Sequence, residues 1–217
     1  MVEAGSGIQG SSPEAQERRR EIVVICGPEG SGKTTQAINL SRDLNLPYVT
    51  MGDVFVELAK EETEFGLEIK TMLKEHRYST IKEFETAFLW RMAKGDVKEG
   101  FILDGGFRTV EQVQNFELQL RKAGISESIP IDVVYFRVAG WEAIDRVLTG
   151  NREGRLYDTE EGVLDRLSHH YYQLGERMSY ARRKWPFIII DCTNKTEEMI
   201  EEETMKNLAA NRVVMKE

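Results

Sequence analysis

Short unbroken apolar runs alternate along this chain with longer segments in which apolar residues recur every three or four positions. Four runs stand out, Ile22 to Cys26, Phe101 to Leu103, Ile131 to Phe136 and Phe187 to Ile190, with a fifth at Pro47 to Met51. Successive side chains of a strand point to opposite faces, so a strand buried on both faces must be apolar throughout. The segments between the runs fit amphipathic helices. The pattern predicts a doubly wound α/β fold, a parallel five-stranded sheet with helices on both faces and its ligand crevice at the carboxyl ends of the strands. Helical segments are also expected around Val54 to Lys60, Phe65 to Lys74 and Ile81 to Ala93. Their aromatics Phe84, Phe88 and Trp90 read as packing rather than base stacking, and Glu61 to Glu64 as a solvated loop. A later helix carries an apolar stripe of Val163, Leu164, Leu167, Tyr171 and Leu174 with Arg166 on its rim, facing either a cleft or solvent. His169, His170 and His76 read as exposed or rim residues rather than metal ligands.

With 41% apolar content in 217 residues, one well-buried core is expected rather than two. Residues 1–20 lack the apolar centre of a signal peptide, and Glu3, Glu14 and Glu17 suit a transit peptide poorly, so they read as a flexible tail before a single domain spanning 21–217. No run approaches the roughly 20 apolar residues that span a bilayer. A net charge of -8 argues against a nucleic-acid polymer or an anionic membrane as partner, and assigns any anion site to a local basic patch. Cys26 and Cys192 lie at the edges of apolar runs without a C-x-x-C, so they read as buried reduced thiols. A cytoplasmic protein without disulfides or zinc is expected.

Candidate chemistry begins in VVICGPEGSGKTTQA, where Gly27 to Thr34 satisfies G-x-x-x-x-G-K-[ST] between a strand and a helix. Gly27, Gly30 and Gly32 permit close backbone approach, so that N–H groups and a helix N-terminus face the phosphates of a nucleoside triphosphate. Lys33 would neutralise their charge and Thr34 would place a hydroxyl on Mg²⁺. In the second signal, GFILDGGFRTVEQ, a strand ends at Asp104 and a glycine turn leads to Arg108. Asp104 could hold Mg²⁺ directly or through water while Arg108 reaches a phosphoryl oxygen. The same residues read equally well as an Asp-Gly-Gly turn followed by a surface arginine.

Together these stretches resemble the adenylate kinase family of nucleoside monophosphate kinases. GPEGSGKTTQA resembles the family loop GxPGSGKGTQA, LDGGFRTVEQ resembles LDGFPRTxxQ, Met51-Gly52-Asp53 resembles its T-G-D, and GRLYDTEEGVLDRL resembles the exit of its lid. The resemblance implies a P-loop NTPase core that moves the γ-phosphoryl of ATP to a nucleoside monophosphate with Mg²⁺. Residues 52–94 would be the acceptor-binding insert and 148–160 a short lid. ATP would be held by Gly27, Glu29, Gly30, Ser31, Gly32, Lys33, Thr34, Thr35 and Arg146. Lys33, Arg108, Arg146, Arg155 and Arg166 would surround the transferring group. The acceptor would meet Met51, Gly52, Asp53, Gly105, Arg108 and Gln112, and the metal Thr34 and Asp104. A monomer is expected.

The segment 148–160 is short and polar, with Gly150, Arg152, Gly154 and Arg155, as a closing lid requires. It has no cysteine for zinc, and Asp158 with Glu161 reads better as a helix capping box than as catalytic acids. Four departures limit the resemblance: Met51 replaces the threonine of T-G-D, Val56 replaces a phosphate-binding arginine, Gly150 replaces a lid arginine for which Arg152 is a substitute, and Asp104-Gly105-Gly106-Phe107 replaces a proline-containing turn with Arg108 still in register. Three outcomes follow: an AMP kinase, with Gln112 one turn beyond Arg108 pairing with adenine; a UMP or CMP kinase, since Met51 alters the wall beside the base; or a nucleotide-binding relative weakened in transfer. Arg91 is a candidate to replace the cation missing at Val56.

Overall fold

The computed structural model describes residues 20–75, 77, 79–150 and 160–214. Five strands, β1 (Glu21–Cys26), β2 (Tyr48–Thr50), β3 (Gly100–Asp104), β4 (Ile131–Arg137) and β5 (Phe187–Asp191), form one parallel sheet in the order β2-β3-β1-β4-β5. Each apolar run of the sequence is one of these strands to within a residue or two at either end. The exception at the margin is Met51, which opens a helix instead of closing β2.

All six residues of β1 are buried, and they alternate between two layers. Ile22, Val24 and Cys26 join one apolar cluster, Val23 and Ile25 the other. The second cluster is completed by α1 (Lys33–Leu44), whose Ala37, Leu40 and Leu44 are buried against the sheet. On the first face pack α2 (Met51–Leu58), α3 (Glu64–Lys74), α4 (Ile81–Met92) and α5 (Val110–Lys122). The chain then adds α6 (Gly140–Thr149) and α7 (Glu160–Tyr171) to the second face, α8 (Leu174–Lys184) to the first, and α9 (Glu197–Val214) to the second. Burial on both sides explains why the strands read as unbroken apolar runs. Among the described residues no helix is long and apolar enough to cross a membrane, and both cysteines are buried and free.

The three helices expected between β2 and β3 are α2, α3 and α4. Phe88 is fully buried, Phe84 stacks on it at 6.1 Å, and Lys94 Nζ lies 4.0 Å above the Trp90 ring, so these aromatics pack as expected. The acidic loop is shorter than its sequence suggested: Thr63 caps α3, accepting from the Gly66 N–H, and Glu64 is already helical. A larger correction concerns the stripe from Val163 to Leu174. Only Val163 and Leu167 are buried; Leu164 and Tyr171 are about half exposed. Gln173, at φ 57, breaks the helix, and Leu174 begins α8 on the opposite face of the sheet.

The chain leaves β1 toward β2 on one side of the sheet and leaves β3 toward β4 on the other. The crevice at the carboxyl ends of β1 and β3 therefore lies where connections diverge, the position at which such sheets bind ligands. Residues 1–19, His76 and residues 151–159, which carry the expected tail and most of the expected lid including Arg152, Gly154, Arg155 and Asp158, lie outside the described residues.

Candidate active site

β1 ends at Cys26 and α1 begins at Lys33, so the glycine-rich loop spans the mouth of the crevice. Gly30 has no alternative there. Its φ is 77, and a Cβ would lie 2.4 Å from the Ala143 carbonyl oxygen of α6. Ser31 is buried and its hydroxyl donates to the Pro28 carbonyl at 2.8 Å, which fixes the loop from within. Lys33 Nζ reaches the same carbonyl at 3.3 Å.

Thr34 Oγ1 donates to Asp104 Oδ2 at 2.7 Å, and Tyr48 from β2 donates to the same oxygen at 2.9 Å. Asp104 Oδ1 is buried without a hydrogen-bond partner. A buried carboxylate oxygen left unpaired is costly, and it fits a cation or a cation-bound water at this point. No group of three or more His, Cys, Asp or Glu side chains suited to a metal occurs among the described residues.

The turn after Asp104 is packed tightly. The N–H groups of Gly105 and Gly106 donate to the Ile25 carbonyl at 3.0 and 3.2 Å, and a Cβ on Gly106 would sit 2.6 Å from Val24 Cγ1. Phe107 follows in the left-handed region at φ 59, its ring edge-on to Phe116 at 5.1 Å and stacked on Trp185 at 5.4 Å. The next residue, Arg108, is thrown to the surface of the crevice. Its Nε donates to the Gly105 carbonyl at 3.3 Å, and it makes no ion pair among the described residues. Thr109 caps α5, and Gln112 Oε1 accepts the Arg108 backbone N–H at 2.8 Å, with no protein partner for its amide nitrogen among the described residues.

Two cavities meet here. One, of about 380 Å³, follows the loop past Gly30, Gly32, Thr34, Thr35 and Asp104. The other, of about 590 Å³, extends toward Gln112, Arg166, His170 and Arg177. Glu29, Lys33, Gly105 and Arg108 line both. Lys33 and Arg108 thus form a cationic partition between two ligand-sized spaces.

The remaining expected site residues divide. Gly27 lines the larger cavity and Gly52 the smaller. Arg166, on α7, also reaches the larger cavity, where its Nε donates to Glu29 Oε2 at 2.6 Å across the crevice. The Glu29 side chain, which lines both cavities, thus holds Arg166. Arg146 is not brought to either cavity. It is bonded to Glu142, to the Gly30 carbonyl at 3.3 Å and to the Cys192 carbonyl at 2.9 Å, and so braces the loop from behind. Met51 is 3% exposed and belongs to the core, not to a wall beside a base. Asp53 is exposed and outside both cavities. Arg91, the candidate to replace the cation missing at Val56, lines neither cavity, and Asp96 holds both its Nη atoms at 2.8 Å. Gly150 ends α6, and a Cβ there would lie 2.5 Å from the Arg146 carbonyl oxygen, so this backbone has no room for a lid arginine at that position.

Two inward-facing residues escaped the sequence. Arg177 is 2% exposed and lines the larger cavity; the signal was its place on the apolar stripe Leu174, Met178 and Ala181 at helical spacing. His170, read as a rim residue, turns onto β4, where it shares a 3.2 Å hydrogen bond with the Tyr135 hydroxyl and lies parallel to that ring at 6.1 Å. Burial, then the charges of Arg177, Lys33 and Arg108, push its imidazole down to about 3.

The unfolded chain takes up a proton on this histidine near pH 6.5, and the folded chain does not until about 3. Folding stability therefore falls as the pH drops below 6.5, by up to about 1.4 kcal/mol per pH unit from this group alone. Denaturant titrations of His170→Gln, which keeps a partner for Tyr135, should show a shallower loss between pH 6.5 and 5 than the parent. Equal slopes in the two proteins would contradict this placement of the ring.

A sequence model of the adenylate kinase family matches residues 25–184. The chain is 35% identical over 160 residues to the adenylate kinase of Mycobacterium sp. (strain MCS), covering 74% of this chain and 85% of that protein. It is 32% identical over 186 residues to the adenylate kinase of Corynebacterium glutamicum (strain R), covering 86% of this chain and 98% of that protein. With the adenylate kinase of Micrococcus luteus it shares 33% identity over 180 residues, 82% of this chain and 86% of the relative.

Proposed function

The chain belongs to the adenylate kinase family of nucleoside monophosphate kinases, and from that premise we propose that it transfers the γ-phosphoryl of ATP to AMP, giving two ADP. The observation that carries the proposal is the shared wall of Lys33 and Arg108 between two cavities. ATP would lie along the smaller one, its phosphates on the loop, and AMP in the larger one. In transfer, an acceptor phosphate oxygen bonds to the γ-phosphorus as the bond to the β,γ-bridging oxygen breaks. Charge spreads over the equatorial oxygens and the bridge, and cations fixed in advance on both sides stabilise it without a covalent intermediate. The acceptor is already an anion, so no protein base is needed. Lys33 serves the donor side and Arg108 the acceptor side.

Bound Mg²⁺ would neutralise charge on the donor phosphates and orient them; Asp104 and Thr34 are the residues placed to hold it. Phosphate arriving beside Arg166 would draw its guanidinium from Glu29. Arg155 would act from the lid in the same way, and Arg146 would act through the loop it braces. A cytoplasmic monomer suits this role.

Adenine is assigned through Gln112. Its Oε1 is engaged by the Arg108 N–H, and its amide nitrogen remains to donate to a ring nitrogen of a purine in the larger cavity. Gln112→Ala should lower kcat/KM for AMP by about 10-fold or more, and for CMP or UMP by much less, since a site built to hydrogen-bond one base discriminates through the polar groups left unpaired. A uniform loss across all acceptors would make Gln112 a support for Arg108 and remove the adenine contact.

A further inference from the structure

Arg177 carries a charge that no carboxylate pairs with among the described residues. It is 2% exposed and forms no ion pair among the described residues, and burial lowers its proton affinity. A buried guanidinium so placed is expensive, and an apolar side chain would complete the stripe of α8 without that cost. What the guanidinium does hold is two carbonyl oxygens. Nη1 donates to Phe107 at 2.7 Å in a fully buried bond, and Nη2 donates to His170. Phe107 is the left-handed residue whose conformation aims Arg108 into the crevice, and bulky residues rarely adopt it unaided. His170 lies near the end of α7, one helical turn beyond Arg166.

We propose that Arg177 is a positioning residue for phosphoryl transfer: its planar fork ties the Phe107–Arg108 turn to the end of α7 and so fixes Arg108 and Arg166 relative to each other. The cavity explains why such a tie is needed. Its two walls belong to elements on opposite faces of the sheet, α5 with its preceding turn and α7, and Arg177 bonds to both. Lysine offers one compact ammonium and does not present the same rigid pair of donors.

This inference rests on the phosphotransferase reading above, and the test separates the two. Arg177→Lys and Arg177→Gln are made in the parent and in an Arg108→Met background, with kinetics measured below each variant's melting temperature. Acting through Arg108, either change should lower kcat/KM for the acceptor by about 10- to 100-fold in the parent, with KM for ATP within about threefold, and cost under about twofold further without Arg108. Amide exchange in the 105–109 segment should quicken by about 10-fold while β1 is unaffected. Equal fold-losses in both backgrounds, unchanged activity with unchanged exchange, or failure of both variants to fold would each overturn the proposal by making Arg177 part of the general core. The exchange readout does not depend on turnover. If the parent transfers phosphate to no monophosphate, the functional reading fails, and exchange of the turn alone decides whether Arg177 holds it.

Discussion

Lys33→Met is expected to reduce phosphoryl transfer by about 10³-fold or more while the protein stays folded. Lys33 opens α1 beneath the loop, and its Nζ lies at the partition between the two cavities. Removing a cation fixed beside the developing charge of a transition state costs about 3 to 4 kcal/mol. Methionine keeps the stem and gives up the ammonium with its 3.3 Å bond to the Pro28 carbonyl, so thermal unfolding should shift by only a few degrees. Turnover in a coupled assay and a melting curve on the same preparation check both halves. A folded Lys33→Met protein with most of the parent's activity would remove the loop from the chemistry.

Arg108→Met should produce the second large loss, about 10² to 10³ in kcat/KM for the acceptor. Arg108 is exposed and free of any ion pair among the described residues, so its charge is not committed to the fold. In the proposed reading it is the acceptor-side member of the partition, and the position of a further phosphate clamp is held by Val56, half exposed on α2, while Arg91 is paired with Asp96. Saturating ATP should not restore activity, whereas raising the monophosphate should restore part of it. If only the KM for ATP rises, Arg108 belongs to the donor side and the assignment of the two cavities is reversed.

The sheet was legible because burial on both faces leaves a periodicity of its own, unbroken and too short for a helix. The loop, Asp104 and Arg108 were legible because each sits at a strand end with glycine beside it, a local signal. What the chain did not disclose depends on distant partners. Arg146 carries the same charge as Arg108, and although Glu142 one helical turn before it offers a local partner, the Gly30 and Cys192 carbonyls that hold it behind the loop come from distant segments. The break between α7 and α8 falls on a glutamine at φ 57 rather than on glycine or proline, so the apolar stripe seemed continuous through it. His170 and Arg177 sit in stretches rich in charge, where a polar reading is usually right; only the packing of α7 and α8 against the sheet turns them inward. Gly150 looked like a lost arginine in sequence and is instead a helix terminus with no space for a side chain.

Transfer from ATP to AMP across the Lys33–Arg108 wall is the proposal on which the other assignments depend. The most direct measurement is the parent protein's kcat/KM with ATP and Mg²⁺ for AMP, CMP, UMP and GMP in turn, following diphosphate formation. The account predicts that AMP is preferred over each of the others by at least about 10-fold, the discrimination expected of a site that hydrogen-bonds the base. Preference for UMP or CMP would contradict the adenine assignment and keep the kinase. Absence of transfer to all four monophosphates would contradict the claim itself.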